Sequence, residues 1–213
     1  MDVEPGLRER KKARTRQAIS ESAIALFLER GYDAVSVAQI AAAAEVSKRT
    51  LFAYFPSKDD LVLHRFADHE DEPARVVRER GAGEAPLDAL HRHLRSRLDE
   101  RDPITGLCDI PQVVAFYRLV IDTPALAGAR VRYQSRGEDA LTSALLETTA
   151  PAPDAELTSR LTAVQVLAVL RTLADRNQRR ISAGSSADDL APEAITAADH
   201  AFDLLRGGLP HHT

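Results

Sequence analysis

With 213 residues, 44% hydrophobic and 28% charged, the chain has the composition of a globular protein of one large domain or two small ones. Its start is charged and no run approaches the roughly 20 apolar residues of a membrane span, so no secretory leader or membrane segment is expected and the expected location is the cytoplasm. The single cysteine, Cys108, excludes an internal disulfide and a cysteine-rich metal cluster.

The chain opens on a basic arm. Residues 7–16, LRERKKARTR, hold Arg8, Arg10, Lys11, Lys12, Arg14 and Arg16 against Glu9, a local charge of +5 in a chain of net charge −4. Such arms gain affinity for DNA by releasing its counterions and can reach a neighbouring minor groove. A helix follows, with Ile19, Ala23, Leu26 and Phe27 on one side at three- and four-residue spacing and Gly31 as its stop.

Residues 36–55, SVAQIAAAAEVSKRTLFAYF, carry most information: they read as two short helices about a tight turn. Ser36 caps the first and Gln39 reaches back to the cap, a reciprocal capping box. Ile40, Ala41 and Ala44 form its inner face, with Ala41 small enough for a close crossing. Ser47 caps the second helix, Val46 plugs inward, and Leu51 and Phe55 are its buried side. The outer face is left to Lys48, Arg49, Thr50 and Tyr54. Cations and hydroxyls suit phosphate oxygens, a guanidinium can pair with guanine, and Lys48 and Arg49 sit at the end that enters a major groove. A solvated helix in an all-helical protein is the plain alternative. After Pro56, Ser57 caps a further helix with Asp60 at the box position. Lys58, at the start of that helix, opposes its dipole at a cost of a few tenths of a kcal/mol, roughly, a placement better explained by a phosphate than by stability.

Residues 10–65 resemble the DNA-binding domain of the TetR family of bacterial regulators. The run VSKRTLFAYFPSKDDLV (46–62) is close to that family's signature: a valine, a serine cap, a threonine, an aromatic pair and a Ser-Lys opening of the fourth helix. The resemblance implies a homodimeric, ligand-responsive transcription factor, usually a repressor. By matching positions it makes Thr50, Tyr54 and Lys58 phosphate contacts and Lys48 and Arg49 the readers of bases or backbone. Arg14, Arg16, Ser36, Gln39 and Ser47 complete the candidate DNA contacts. Glu45 departs from the pattern, since the family often has glycine in the turn. A non-glycine residue in a left-handed conformation costs on the order of 1 kcal/mol. The likeness covers about the first third of the chain.

The remainder reads as helices near 57–70, 73–80, 86–101, 110–122, 124–148, 154–182 and 190–206, punctuated by Pro and Gly, with no strand alternation and no repeat. The expected fold is therefore all-α. A three-helix helix-turn-helix DNA-binding domain (1–65) precedes a larger helical ligand-binding and dimerisation domain (66–213), with nine or ten helices in all. Residues 1–65 hold 11 basic and 9 acidic side chains and the rest 17 and 23, so the basic end faces DNA and the acidic body is repelled. Cys108, with no basic neighbour in sequence, reads as core.

In LTAVQVLAVLRTLA (161–174) the helix is apolar almost all round, and in the last helix small residues run beside an apolar stripe. Both could be ordinary core. In the resembled family the last two helices form a four-helix bundle across the dimer axis, which makes Leu161, Val164, Ala168, Ile195, Ala198, Ala201, Phe202 and Leu205 the candidate dimer interface.

For a ligand, Arg118 interrupts the apolar run VVAFYRLVI (113–121) and Arg171 the apolar helix; a buried guanidinium needs a carboxylate or an anionic ligand. With Phe116, Tyr117 and Tyr133 they outline a candidate pocket for a small hydrophobic or amphipathic molecule, although Arg118 on a solvent strip is at least equally compatible and such aromatics are more often core than ligand cage. His91 and His93 are two apart and point to different faces, a poor metal pair, so no metal site is expected. The tail at 210–213, with His211 and His212, reads as a frayed end.

Three functions compete: a ligand-gated regulator binding double-stranded operator DNA, a DNA-binding module without ligand, and an enzyme. The sequence offers no phosphate-cradling glycine loop, nucleophile elbow or spaced His/Glu set, so neither enzyme nor cofactor is expected.

Overall fold

α1 (Leu7–Arg30) runs unbroken from the basic arm into the first core helix. In this computed structural model, which describes residues 6–67 and 69–207, the arm is therefore helical rather than an extended strand free to enter a minor groove. The reason is local: residues 7–30 hold neither Gly nor Pro and are rich in Arg, Lys, Ala and Leu, all good helix formers. The side chain of Arg8, Asp68 and the tail at 210–213 lie outside what is described.

There follow α2 (Val37–Ala43), α3 (Lys48–Tyr54), α4 (Asp60–Ala67), α5 (Glu72–Glu79), α6 (Pro86–Asp99), a 3-10 turn (Pro103–Thr105), α7 (Pro111–Asp122), a second 3-10 turn (Pro124–Leu126), α8 (Ala127–Leu146), α9 (Ala155–Ser182) and α10 (Ala187–Gly207). No strand occurs among the described residues, and the fold is all-α. The last helix starts earlier than its sequence suggests. Ser186 caps it, with the Asp189 amide donating to its hydroxyl at 3.1 Å, and Pro192 falls inside the helix.

The chain forms two compact units. The first comprises the residues up to Arg65 together with Ala115–Arg130. Ile19, Ala23 and Phe27 of α1, Ile40 and Ala41 of α2, Leu51 and Phe55, and Leu61 to Leu63 of α4 form its core. The Ser20 hydroxyl donates to the Leu61 carbonyl at 3.2 Å, tying α1 to α4. Residues 115–130, placed by sequence with the body, add Phe116, Val120 and Leu126 to the buried set of this unit.

The second unit comprises Phe66–Val114 and Val131–Thr213. One of its apolar clusters joins Val77, Leu90, Leu141, Leu145, Ala163, Val166 and Phe202; another joins Leu98, Leu107, Ile181, Leu190, Ala194 and Ala198. Two of the candidate interface residues are thereby reassigned. Ala198 and Phe202 are fully buried within the protomer, because α6 packs along the face of α10 that carries them. Ile195 and Leu205 are half-buried against the same clusters, and Ala168 and Ala201 are intermediate. On α9, by contrast, Leu157 is 58% exposed, Leu161 52% and Val164 37%. α9 is also, by length and composition alone, apolar enough to cross a membrane, contrary to the expectation from sequence. Here Ala163, Val166 and Ile181 anchor it in the clusters of the second unit.

Gly106 fixes the approach of the first 3-10 turn to α9. Its φ is 70°, and a methyl group there would lie 2.1 Å from the Ala174 carbonyl oxygen, while the Asn177 side-chain Nδ2 donates to the Thr105 carbonyl at 3.0 Å. Gly106→Ala combines left-handed strain with overpacking, and is expected to lower unfolding free energy by about 2–4 kcal/mol. Urea denaturation followed by circular dichroism checks this; an unchanged midpoint at constant slope contradicts the close approach.

Candidate nucleic-acid interface

Both helices of the α2–α3 pair are capped as their residues dictate. The Gln39 amide donates to the Ser36 hydroxyl at 3.3 Å and the Ser36 amide to the Gln39 side-chain oxygen at 2.8 Å, closing the capping box. The Thr50 amide donates to the Ser47 hydroxyl at 3.0 Å, and the Ser47 and Thr50 hydroxyls are 2.8 Å apart. Glu45 takes the turn at φ 53°, the left-handed conformation in which the resembled family often uses glycine. The Val46 amide closes the turn on the Ala41 carbonyl at 2.9 Å.

This frame sorts the faces of α3. Leu51 inside it and Phe55 at its C-cap are buried; Lys48, Arg49, Phe52 and Ala53 are exposed, and Thr50 and Tyr54 half-buried. Phe52 is an addition to the outer face expected from sequence. It lies four residues after Lys48 and three after Arg49, so helical spacing alone places it there. Arg14 is exposed on α1, and the Arg16 guanidinium stands 5.3 Å from the centroid of the Phe55 ring. Ser36 and Gln39 are exposed at the start of α2.

Lys58 has a partner that its sequence position does not reveal. Its ammonium donates to the Tyr32 carbonyl at 2.6 Å and sits 4.1 Å from the Tyr32 ring centroid. The Tyr32 hydroxyl donates to the Asp59 carboxylate. Burial pulls the lysine below its usual pKa, and burial together with Asp59 pushes the phenol well up. A cation at this point is thus accounted for within the protomer, without a phosphate. The Ser57–Asp60 box forms as expected, the Ser57 amide donating to Asp60 at 3.0 Å.

The candidate ligand residues divide between the units. Phe116, Tyr117 and Arg118 belong to the first, Tyr133 and Arg171 to the second. Phe116 is buried, edge-on to Tyr117 at 6.4 Å, with the Arg65 guanidinium of α4 5.9 Å from its ring centroid. The Tyr133 ring is covered by Arg136 at 4.4 Å. Arg118 and Arg171 are both exposed, so the argument that a buried guanidinium requires an anionic partner does not apply to either. Each sits on the solvent side of its helix, where a long cationic side chain needs no ligand.

The second unit holds a charged cluster that the sequence does not announce. Glu72, 5% exposed at the start of α5, accepts from His69 Nδ1 at 2.7 Å, His93 Nε2 at 3.1 Å and the Arg97 guanidinium, which also pairs with Asp102 at 2.9 Å and Glu100 at 3.4 Å. His91 turns instead to Asp199, at 2.8 Å, so the two neighbouring histidines do serve different faces. Among the described residues no group of His, Cys, Asp and Glu could hold a metal.

The bond to Glu72 raises the His69 imidazole above its ordinary 6.5, and His69, His93 and Arg97 hold the Glu72 carboxyl far below 4.5. The histidine contribution is complete below pH 6.5 and is lost as pH rises through its raised value; the carboxylate contribution is complete above pH 4.5 and is lost on acidification. Stability from this cluster should therefore peak between those values. Glu72→Gln should cost about 1–3 kcal/mol at pH 6 and flatten the fall in stability between pH 6 and 8. Thermal melts across that range check it; a parallel pH profile in the variant would show that the cluster does not set the slope.

A capped helix pair about a tight turn, presenting cations on the outer face of its second member, defines a helix-turn-helix DNA-binding protein. Residues 19–64 match the family described as bacterial regulatory proteins, tetR family. Over those residues the chain carries the DNA-binding domain of the TetR family. It is 37% identical over 138 residues to the HTH-type transcriptional regulator TcmR of Streptomyces glaucescens, covering 64% of this chain and 61% of TcmR. It is 35% identical over 97 residues to the HTH-type transcriptional regulator RutR of Escherichia coli, covering 44% of each. The match thus spans about two-fifths to three-fifths of these relatives' length. Its fold is that of native NalD, the secondary repressor of the MexAB-OprM multidrug efflux pump in Pseudomonas aeruginosa (TM-score 0.58, 19% identity, 90% of this chain and 96% of that one). It also resembles the transcriptional regulator FadR from Bacillus subtilis in complex with stearoyl-CoA (TM-score 0.50, 15% identity, 91% and 99%).

Proposed function

We propose that the protein is a ligand-responsive transcriptional repressor of the cytoplasm, without catalytic activity, that binds a palindromic operator as a homodimer and is released by a small molecule. Residues 1–65 are its DNA-binding domain and 66–213 its ligand-binding and dimerisation domain. The observation that carries this reading is the outer face of α3, where Lys48 and Arg49 stand exposed at the N-terminal end of a helix braced by two buried residues, Leu51 and Phe55. Around them Arg14, Arg16, Ser36, Gln39, Ser47, Thr50 and Tyr54 complete the DNA contacts.

One helix-turn-helix touches too little DNA for specific binding, and a two-fold dimer doubles the contact over half-sites about 34–36 Å apart. The exposed residues Leu157, Leu161 and Val164, continued by Ala168, follow alternate four- and three-residue steps along α9, the spacing of a helix-packing seam. The stearoyl-CoA complex of FadR, a fold neighbour, supports an amphipathic ligand. Phe116 and Tyr117 are the proposed contacts, because the Arg65 guanidinium of α4, the helix that follows the recognition helix, stands 5.9 Å from the centroid of the Phe116 ring. A ligand that moves the ring would act on α4, and coupling of about 1–3 kcal/mol would be ordinary for such a switch.

The test is footprinting of DNA flanking the protein's own gene, followed by release with a panel of acyl-CoA thioesters and small hydrophobic acids. A protected palindrome released by a member of the panel is expected. Protection that no ligand relieves would favour a DNA-binding module without a switch.

A further inference from the structure

Phe52 is a large apolar side chain left 47% exposed on α3, with exposed Ala53 beside it and Lys48 and Arg49 one turn earlier on the same face. Packing of the protomer does not explain it. The inner side of this helix is completed by Leu51 and Phe55, both 0% exposed, and the preceding turn is closed by its own caps. A polar residue at this position would leave the packing of Leu51 and Phe55 and the Ser47 cap intact, so the exposed part of the phenyl ring is left to meet a partner.

The surroundings say what can cover it. A second copy docking through this face would set Lys48 and Arg49 of one protomer against those of the other, and like charges brought together disfavour that contact. A polyanion accepts the same cations. Within a major groove, the apolar group a base edge offers is the C5-methyl of thymine, which lies between the phosphate rails and is read by Ala, Thr and Phe side chains. The residue types on α3 match that layout, with cations toward the helix N-terminus and Phe52 and Ala53 following along the groove-facing side.

Resting on the DNA-binding reading above, we propose that Phe52 is a specificity-determining residue that packs on the C5-methyl group of a thymine in each operator half-site. It contributes sequence preference while Lys48 and Arg49 contribute charge.

The test uses the full chain. Duplexes are first selected from a randomised pool, and each thymine of the selected half-site is then replaced by deoxyuridine, which removes the methyl group and keeps the base pair. For the parent, one thymine position should show a loss of roughly fourfold per half-site, or about 15-fold with both half-sites replaced, the value of one buried methyl group. Phe52→Ala should bind thymine and uridine duplexes alike at that position, with an unchanged salt slope, and Phe52→Leu should keep some of the discrimination. Uridine at every position tolerated by the parent, or Phe52→Ala as sensitive to uridine as the parent, overturns the proposal while leaving DNA binding standing. Failure to bind any duplex in a salt-dependent way overturns the DNA-binding reading and this proposal with it. Self-association abolished by Phe52→Ala would place a second copy on the ring and overturns it as well.

Discussion

Lys48→Ala combined with Arg49→Ala should lower affinity for the selected duplex by about 2–6 kcal/mol, because each dimer carries the change twice and each half-site loses roughly 1–3 kcal/mol. That corresponds to a loss of about 30-fold to 3 × 10⁴-fold. The two residues should separate when changed singly. Lys48 is exposed at the first position of α3, where it can meet phosphate, so Lys48→Ala should weaken all duplexes alike and reduce the salt slope by about one per half-site. Arg49→Ala should also relax preference at one base pair. Tyr54, half-buried, offers only its hydroxyl, so Tyr54→Phe should cost about 0.5–1.5 kcal/mol on every sequence. Titrations at two salt concentrations, on the selected duplex and a scrambled one, read all three. Affinity unmoved by the double substitution removes α3 from the interface.

Leu161→Glu with Val164→Glu should convert a dimer to folded monomers that no longer hold a palindrome. In the protomer these side chains are 52% and 37% exposed, so the charges remain solvated on folding and the melting temperature of the isolated chain should hold. At a helix-packing interface the same charges would be desolvated without partners, a penalty of about 3–5 kcal/mol each. Ala198→Glu is the contrasting case. Ala198 of α10 is 0% exposed in a cluster with Leu98 of α6 and Ile181 of α9, so a carboxylate there should unfold the second unit rather than dissociate folded subunits. Sedimentation equilibrium and circular dichroism together distinguish the two outcomes. An intact dimer with glutamate at 161 and 164 moves the interface off this stretch of α9.

These expectations differ in how far they could be read without the structure. The α2–α3 pair was legible because everything that shapes it is local. Ser36 and Gln39 are three residues apart, as are Ser47 and Thr50, and the capping bonds, the turn at Glu45 and the inward stripe of Ile40, Ala41, Leu51 and Phe55 all act within one or two helical turns. The all-α class and the number of helices followed from the same short-range signals, and so did the likeness to the TetR family.

What escaped the sequence depends on contacts between residues far apart in it. A lone cation at Lys58 looks unexplained until Tyr32, 26 residues earlier, supplies a carbonyl and a ring. Two apolar helices at the C-terminus look equally fit for a dimer until α6 covers one face of α10 and leaves Leu161 and Val164 of α9 uncovered. An arginine within an apolar run looks buried, yet Arg118 and Arg171 fall on the solvent side, since a helix rotates about 100° per residue and one polar position in such a run reveals little about which side faces out. Gly106 carries no local sign that α9 passes within reach of its missing side chain. Periodicity determines that a helix has an inside, and only the packing of distant segments decides which neighbour covers it and which face is left for DNA or for a second subunit.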